Sequence, residues 1–226
     1  MEPRGPGPQP EDGHTALVIA GGDAVDALTA FRLPAEVTTV VVADSGLHHA
    51  LALGRAVDVI VGDLDSADPA AVARAEAAGT VVERHPVDKD ATDLELALVT
   101  ACDRGATRIV VAGLAGGRVD HLFANVLLLT SPRFAGVQIE AWLPGARLTV
   151  VRGETRLDGR PGDLLSLLPA GGPAEGVRTE GLQYPLRDET LAPGSTRGVS
   201  NVFVAAEATV RVARGCVLAI QPDGGS

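Results

Sequence analysis

Asp63 and Asp65 stand two residues apart in VDVIVGDLDSADP, residues 57–69, where a run of β-branched residues ends. Paired carboxylates gain nothing inside a buried strand. At its exit they can offer oxygen ligands to a divalent cation. In an extended D-x-D segment, side chains two apart point the same way, so the spacing predicts that both face one ion or a pair of ions. The same grammar recurs at other apolar run-ends. Gly21, Gly22 and Asp23 follow the first run, and Asp44, Ser45 and Gly46 follow TTVVVA. HPVDKDATDLE supplies Asp88, Lys89, Asp90, Thr92 and Asp93, and GLAGGRVDH supplies Gly116, Gly117, Arg118, Asp120 and His121. Glycines let a backbone approach a polyphosphate. Lys89 and Arg118 are the cationic donors that phosphoryl transfer needs. Each feature has a plainer reading alone. Asp90 and Asp93 suit a helix N-terminus, Arg118 and Asp120 a surface ion pair, and His48 and His49 an exposed helix start. Their joint occurrence reads as a metal-dependent nucleotide enzyme.

These residues need a scaffold that brings strand ends together. From Thr15 to about Trp142, Val/Ile-rich runs alternate with helix-like stretches at 46–53, 68–78, 91–104 and 119–130. Near-continuous apolar runs suit strands covered on both faces. The alternation predicts a doubly wound, Rossmann-like α/β domain over 15–142, with ligands at the carboxyl ends of its strands. After Gly145 helical periodicity fades. RLTVV, DLLSLLP, SNVFVAA, ATVRVA and CVLAIQP recur between turn residues, which predicts a smaller all-β sandwich or barrel over 147–222. LPGAR, 143–147, is read as the linker.

Composition narrows the function classes. The chain has 226 residues, 46% of them hydrophobic, and a formal net charge of −10. With no Lys/Arg cluster, this argues against nucleic-acid or anionic-membrane binding. The two cysteines, Cys102 and Cys216, lie in no metal-ligand spacing, and Cys102 reads as a small core residue. MEPRGPGPQPEDGH has no apolar signal core; residues 1–14 read as a disordered tail. No apolar run approaches the roughly 18 residues of a membrane span. The expectation is a soluble, cytoplasmic protein.

The ordered series ADSG, VGDLDS, DKDATDLELAL, GLAGGRVDHLFANV and GVSN resembles the thiamine pyrophosphokinase family across nearly the whole chain after the tail. The resemblance implies an α/β catalytic domain followed by a β-rich thiamine-binding domain. It also implies Mg²⁺-dependent transfer of the pyrophosphoryl group of ATP to the hydroxyethyl oxygen of thiamine, giving thiamine diphosphate and AMP. By the same resemblance, Asp63, Asp65 and Asp93 are the metal ligands and, with Asp120, the catalytic set. Asp44, Ser45, Gly46, Lys89, Asp90, Thr92, Gly116, Gly117 and Arg118 form the nucleotide site. Ser200 and Asn201 are the thiamine candidates. Some family members carry STSN where this chain has GVSN, so Gly198 stands in place of a thiamine-contacting serine. A thiamine ring favours aromatic faces; of Trp142, Tyr184 and Phe203, Phe203 follows the motif and is the first choice. The resemblance implies a homodimer with shared active sites. Three rivals remain: a diphosphokinase for another small alcohol such as a pterin, a Rossmann oxidoreductase, which would want the G-x-G-x-x-G that AGGDAVDA lacks, and a non-catalytic thiamine or nucleotide sensor.

Overall fold

The β-branched runs of the first half form parallel strands. The computed structural model describes residues 13–23, 25, 32–116 and 118–223. By contact density the chain divides into two units. The first runs to Leu128 and takes in Ala141–Pro144; the second comprises Leu129–Glu140 and the residues from Gly145 onward.

In the first unit, β1 (Thr15–Ile19), β2 (Thr39–Ala43), β3 (Val59–Gly62), β4 (Val81–Arg84) and β5 (Arg108–Ala112) pair in the order β5-β1-β2-β3-β4, all parallel. Every residue of β1, β2, β3 and β5 is buried, as both-face coverage requires. β4 is the edge strand, and its Val81 is 47% exposed. Four helices follow among the described residues: α1 (Gly46–Ala52), α2 (Pro69–Ala77), α3 (Asp93–Asp103) and α4 (Val119–Leu129). Asp68 caps α2 by accepting from Ala70 N–H, with Pro69 at the first helical position. Thr92 caps α3 by accepting from Glu95 N–H at 3.2 Å. α3 buries Leu94, Ala97, Leu98 and Ala101, the 3.6-residue stripe legible in its sequence. The core joins Leu17, Ile19, Val42, Leu47, Ile60, Val110 and Trp142. Each fully buried Leu or Ile contributes about 1.5–3 kcal/mol.

Between neighbouring β1 and β5 the direction of winding reverses, because β2, β3 and β4 follow on one side of β1 and β5 lies on the other. A sheet of this kind opens a crevice at such a point.

The second unit is antiparallel. Its strands are β7 (Ala146–Asp158), β8 (Leu164–Pro169), β9 (Ala174–Glu180), β10 (Arg187–Leu191), β11 (Asn201–Val202) and β12 (Glu207–Pro222). β12 pairs with β7 along both its halves, broken by a register shift between Val212 and Val217. It pairs with β9 before that shift and with β8 after it. ATVRVA and CVLAIQP are therefore one bent strand, not two. β9 and β10 had no counterpart in the apolar pattern. AEGVRTE and RDETL are polar, and exposed Arg178–Asp188 bridges them at 3.2 Å.

Two expected boundaries shift. Residues 143–147 are no linker: Leu143 ends β6 (Gln138–Leu143), Pro144-Gly145 is a two-residue turn, and Ala146 opens β7. Residues 1–12 of the expected tail lie outside the described residues, but His14 is anchored. Its carbonyl accepts from Thr107 and Arg108 N–H, and its Nε2 lies 2.8 Å from Thr39 Oγ1. Cys102 is half-buried and Cys216 buried, and neither is in a disulfide among the described residues.

Candidate active site

The exits of β1, β2, β3 and β5, with the entry to α3 and one face of α4, enclose a cleft of about 1000 Å³. Glycines shape its floor by letting strand ends interlock. Gly22 N–H donates to Gly113 C=O at 2.9 Å, continuing the β1–β5 ladder. A Cβ on Gly22 would stand 2.0 Å from Ala115 C=O, so no larger residue fits.

Asp63 and Asp65 converge by a different route from the one expected. The segment is not extended. Leu64 sits at φ +63°, and Asp65 N–H donates to Asp63 Oδ1 at 3.2 Å. A left-handed residue between the two carboxylates turns both into the cleft. Asp44, at φ +44°, is a second non-glycine residue held in that sparsely populated region. Such strain persists where surrounding structure enforces it, and it concentrates at functional sites.

One oxygen from each of Asp44, Asp63 and Asp65 lies within 4.8 Å of the others. Asp44, expected at the nucleotide pocket, thus stands in one cluster with Asp63 and Asp65. Asp93 faces Lys89: the Lys89 Nζ lies 2.9 Å from Asp93 Oδ1 and 3.0 Å from Asp63 Oδ2. Burial pushes the Asp44 carboxyl above its ordinary value, and the negative charges of Asp93, Asp65 and Asp63 push the same way. Asp63 is held low, first by the hydrogen bond from Lys89. Burial opposes the Lys89 charge, but its hydrogen bonds to Asp93 and Asp63 prevail and raise its pKa.

This donor set fits a divalent cation. It is all carboxylate oxygen, and Asp44 Oδ1 is buried with no hydrogen-bond partner among the described residues. A polyphosphate could not enter beside Asp23, Asp44, Asp63, Asp65, Asp93 and Asp120, all of which line the cleft, without added positive charge.

The remaining expected residues divide. Ser45, Thr92, Gly116, Arg118 and Asp120 line the cleft. Gly46 and Asp90 do not: Gly46 packs against Ile19 C=O, where a Cβ would come within 2.2 Å, and Asp90 is exposed outside it. Gly117 lies outside the described residues. Arg118 grips Asp120 with two hydrogen bonds, 2.6 and 3.2 Å long, on a well-exposed surface. That contact holds the Asp120 carboxyl down at about 2. Residues not singled out beforehand also line the cleft, notably Asn125 on α4. It stands one helical turn after His121, so the signal was the face they share.

In the second unit, Ser200 is exposed and adopts φ +58°. Asn201 is 4% exposed, with its amide turned inward. Phe203, expected to offer its ring to a ligand, is 1% exposed in the core, against Gly159. The alternation of SNVFVAA placed it inward. Gly198 approaches Leu167 so closely that a Cβ would come within 2.3 Å of Leu167 C=O. A serine there would require the strand to move.

Fold and cleft together define a mixed α/β protein with a cation-ready, phosphate-scale cleft at its strand ends. Family models agree in chain order. Residues 32–141 match the catalytic domain of thiamin pyrophosphokinase, and residues 153–217 match its vitamin B1 binding domain. Thiamine pyrophosphokinase of Bacillus subtilis is 26% identical over 217 residues, covering 92% of this chain and 98% of the relative. The Bacillus subtilis thiamine pyrophosphokinase crystal structure superposes with a TM-score of 0.79 at 25% identity, over 93% of this chain and 99% of that one. The structure of thiamin pyrophosphokinase from Geobacillus thermodenitrificans gives 0.78 at 28% identity, over 94% and 99%. The chain belongs to the thiamine pyrophosphokinase family.

Proposed function

We propose that the protein is a thiamine pyrophosphokinase, transferring the pyrophosphoryl group of ATP to the hydroxyethyl oxygen of thiamine and releasing AMP. One observation carries the reading: three carboxylates, Asp44, Asp63 and Asp65, converge within 4.8 Å in a cleft that also holds Lys89, Arg118 and the glycine-lined strand ends.

In this reading Asp63, Asp65 and Asp44 hold Mg²⁺, with Asp93 at hand through Lys89. Bound there, Mg²⁺ neutralises charge that develops on the phosphoryl oxygens during transfer. Glycine backbone at the ends of β1 and β5 cradles the nucleotide phosphates. Lys89 and Arg118 turn from their carboxylate partners toward the transferred group and the leaving AMP. Asp120, kept ionised by Arg118, orients the thiamine hydroxyl as a hydrogen-bond acceptor. Positioning then supplies much of the rate.

Residues 15–142 act as the Rossmann-like catalytic domain, although contact density groups Leu129–Glu140 with the second unit, and residues 147–222 act as the thiamine-binding domain, a sandwich or barrel. No described helix is long and apolar enough to cross a membrane, which accords with a cytoplasmic setting. The protein works as a homodimer with active sites shared between chains.

The test is incubation with ATP, thiamine and Mg²⁺ followed by chromatography of the nucleotides. AMP in step with thiamine diphosphate is expected. Stoichiometric ADP would refute pyrophosphoryl transfer, and no consumption of thiamine would refute the substrate.

A further inference from the structure

The two histidines of α1 read alike in the sequence, and the structure separates them. His48 is exposed, whereas His49 is half-buried and its Nε2 lies 2.8 Å from Gly22 C=O. A carbonyl oxygen only accepts, so this nitrogen carries the hydrogen and donates. Gly22 and Asp23 line the cleft. The peptide unit between them is held at both ends. Its C=O is bonded by His49, and its N–H, that of Asp23, donates to Ala115 C=O at 2.5 Å. The preceding unit is held in the same way. Gly22 N–H donates to Gly113 C=O at 2.9 Å, and Gly21 C=O accepts a longer bond, 3.4 Å, from Ser45 Oγ. Two successive peptide planes are thus strung between the start of α1 and the loop after β5.

Those planes need holding. Gly21 and Gly22 are consecutive, and with no Cβ to restrict them glycine peptides rotate more freely than others. A backbone carbonyl released from its donor must find another partner or face solvent. In the cleft its oxygen would add partial negative charge beside the carboxylates that already line it, and that opposes the entry of a polyphosphate. His49 itself is not among the residues that line the cleft, so whatever it does there it does through Gly22.

We propose that His49 is a positioning residue of the nucleotide site: by holding Gly22 C=O it keeps the Gly22–Asp23 peptide from turning its oxygen toward the triphosphate chain. His49 touches neither the phosphates nor the metal. The proposal rests on the cleft taking a nucleoside triphosphate, and it deepens that reading by naming what fixes the floor at the exit of β1.

Two measurements on the full chain test this. One is calorimetric titration with Mg²⁺ and α,β-methylene ATP, which cannot be cleaved at the bond that transfer breaks. The other is steady-state kinetics with ATP, thiamine and Mg²⁺. His49→Leu removes the donor and keeps apolar bulk. It should weaken analogue binding and raise the ATP KM, each about fivefold, with the thiamine KM unchanged. His49→Gln places an amide N–H where Nε2 stands and should return both values to within about twofold of wild type. His49→Asn, whose amide is too short to reach Gly22, should behave like His49→Leu and takes its place if that variant does not fold. A merely structural role would lower the folded fraction, and with it the apparent kcat, without splitting the two KM values or being rescued by glutamine. Analogue binding by His49→Leu within twofold of wild type would overturn the proposal, as would equal losses in His49→Leu and His49→Gln. A wild type that binds the analogue but turns over no thiamine overturns the functional reading alone, because the titration still decides this one. A wild type that binds no analogue overturns both.

Discussion

The Lys89 ammonium lies 3.0 Å from Asp63 Oδ2, and it reaches Asp93 Oδ1 at 2.9 Å from the same atom. Lys89 and Asp63 are both largely shielded from solvent, 14% and 12% exposed. A lysine so placed balances carboxylates that would otherwise repel one another. In the proposed function it also releases them for a metal and a phosphate to take its place.

Lys89→Met should therefore split two properties. Without the competing cation, Mn²⁺ should bind the nucleotide-free protein more tightly, by roughly tenfold. Turnover should fall by about 100-fold, because a charge that stabilises the transferred group is missing. Mn²⁺ titration by electron paramagnetic resonance, beside steady-state rates, checks both. Equal or weaker metal binding would show that Lys89 does not compete for the acidic cluster.

Asp63→Asn should remove most activity, on the order of 10³-fold, while the protein keeps its fold. Chelation with EDTA should do the same to wild type, reversibly on adding Mg²⁺. A folded Asn variant that turns over within a few-fold of wild type would remove Asp63 from the metal site.

Asp44→Asn should stabilise the metal-free protein while impairing catalysis. The folded pKa of Asp44 is raised, first by burial and then by neighbouring carboxylates. The folded state therefore keeps a proton that the unfolded chain has released, and stability falls as pH rises from the ordinary carboxylate value through the raised one. The penalty is complete above that window and absent below it. Thermal melts should show the variant ahead by about 2 °C at neutral pH, with the gap closing in acid. A gap that widens in acid would contradict the sign.

Gly46→Ala tests a contact that does no chemistry. A Cβ there would stand 2.2 Å from Ile19 C=O, at the start of α1. Overpacking of this kind costs about 2 kcal/mol, or about 4–8 °C in Tm for a chain of this length. Differential scanning calorimetry measures it, and an unchanged Tm would mean that β1 and α1 can separate freely.

Shared sites predict complementation. Asp63→Asn damages the catalytic unit and Asn201→Ala the β-rich unit. Mixed dimers would carry one site with both lesions and one with neither. Equal mixing with free exchange should restore roughly a quarter of wild-type sites, read at low thiamine concentration with exchange verified by an affinity tag. Activity no greater than the average of the two parent preparations would place each site within one chain.

The sequence by itself determined the parallel strands, their order of appearance and the acidic residues at their exits. Val/Ile runs ending in Gly and Asp are local signals, because burial on both faces and a turn at the exit each demand particular residue types. The caps at Asp68 and Thr92 were legible for the same reason. Tertiary structure decided which of those residues meet. Asp44 and Asp93 lie far apart along the chain, on either side of Asp63, and both flank Gly62, whose Cβ would contact each. Which of them completes the cluster depends on backbone angles at Asp44 and Leu64 that no pattern of hydrophobicity encodes. The second unit shows the same limit. GVSN was read as a site from its motif alone, but whether Asn201 points outward or into the protein depends on Tyr184, whose backbone N–H and C=O bond its amide. Long-range hydrogen bonds decide such orientations, and they exist only once the strands have found their register.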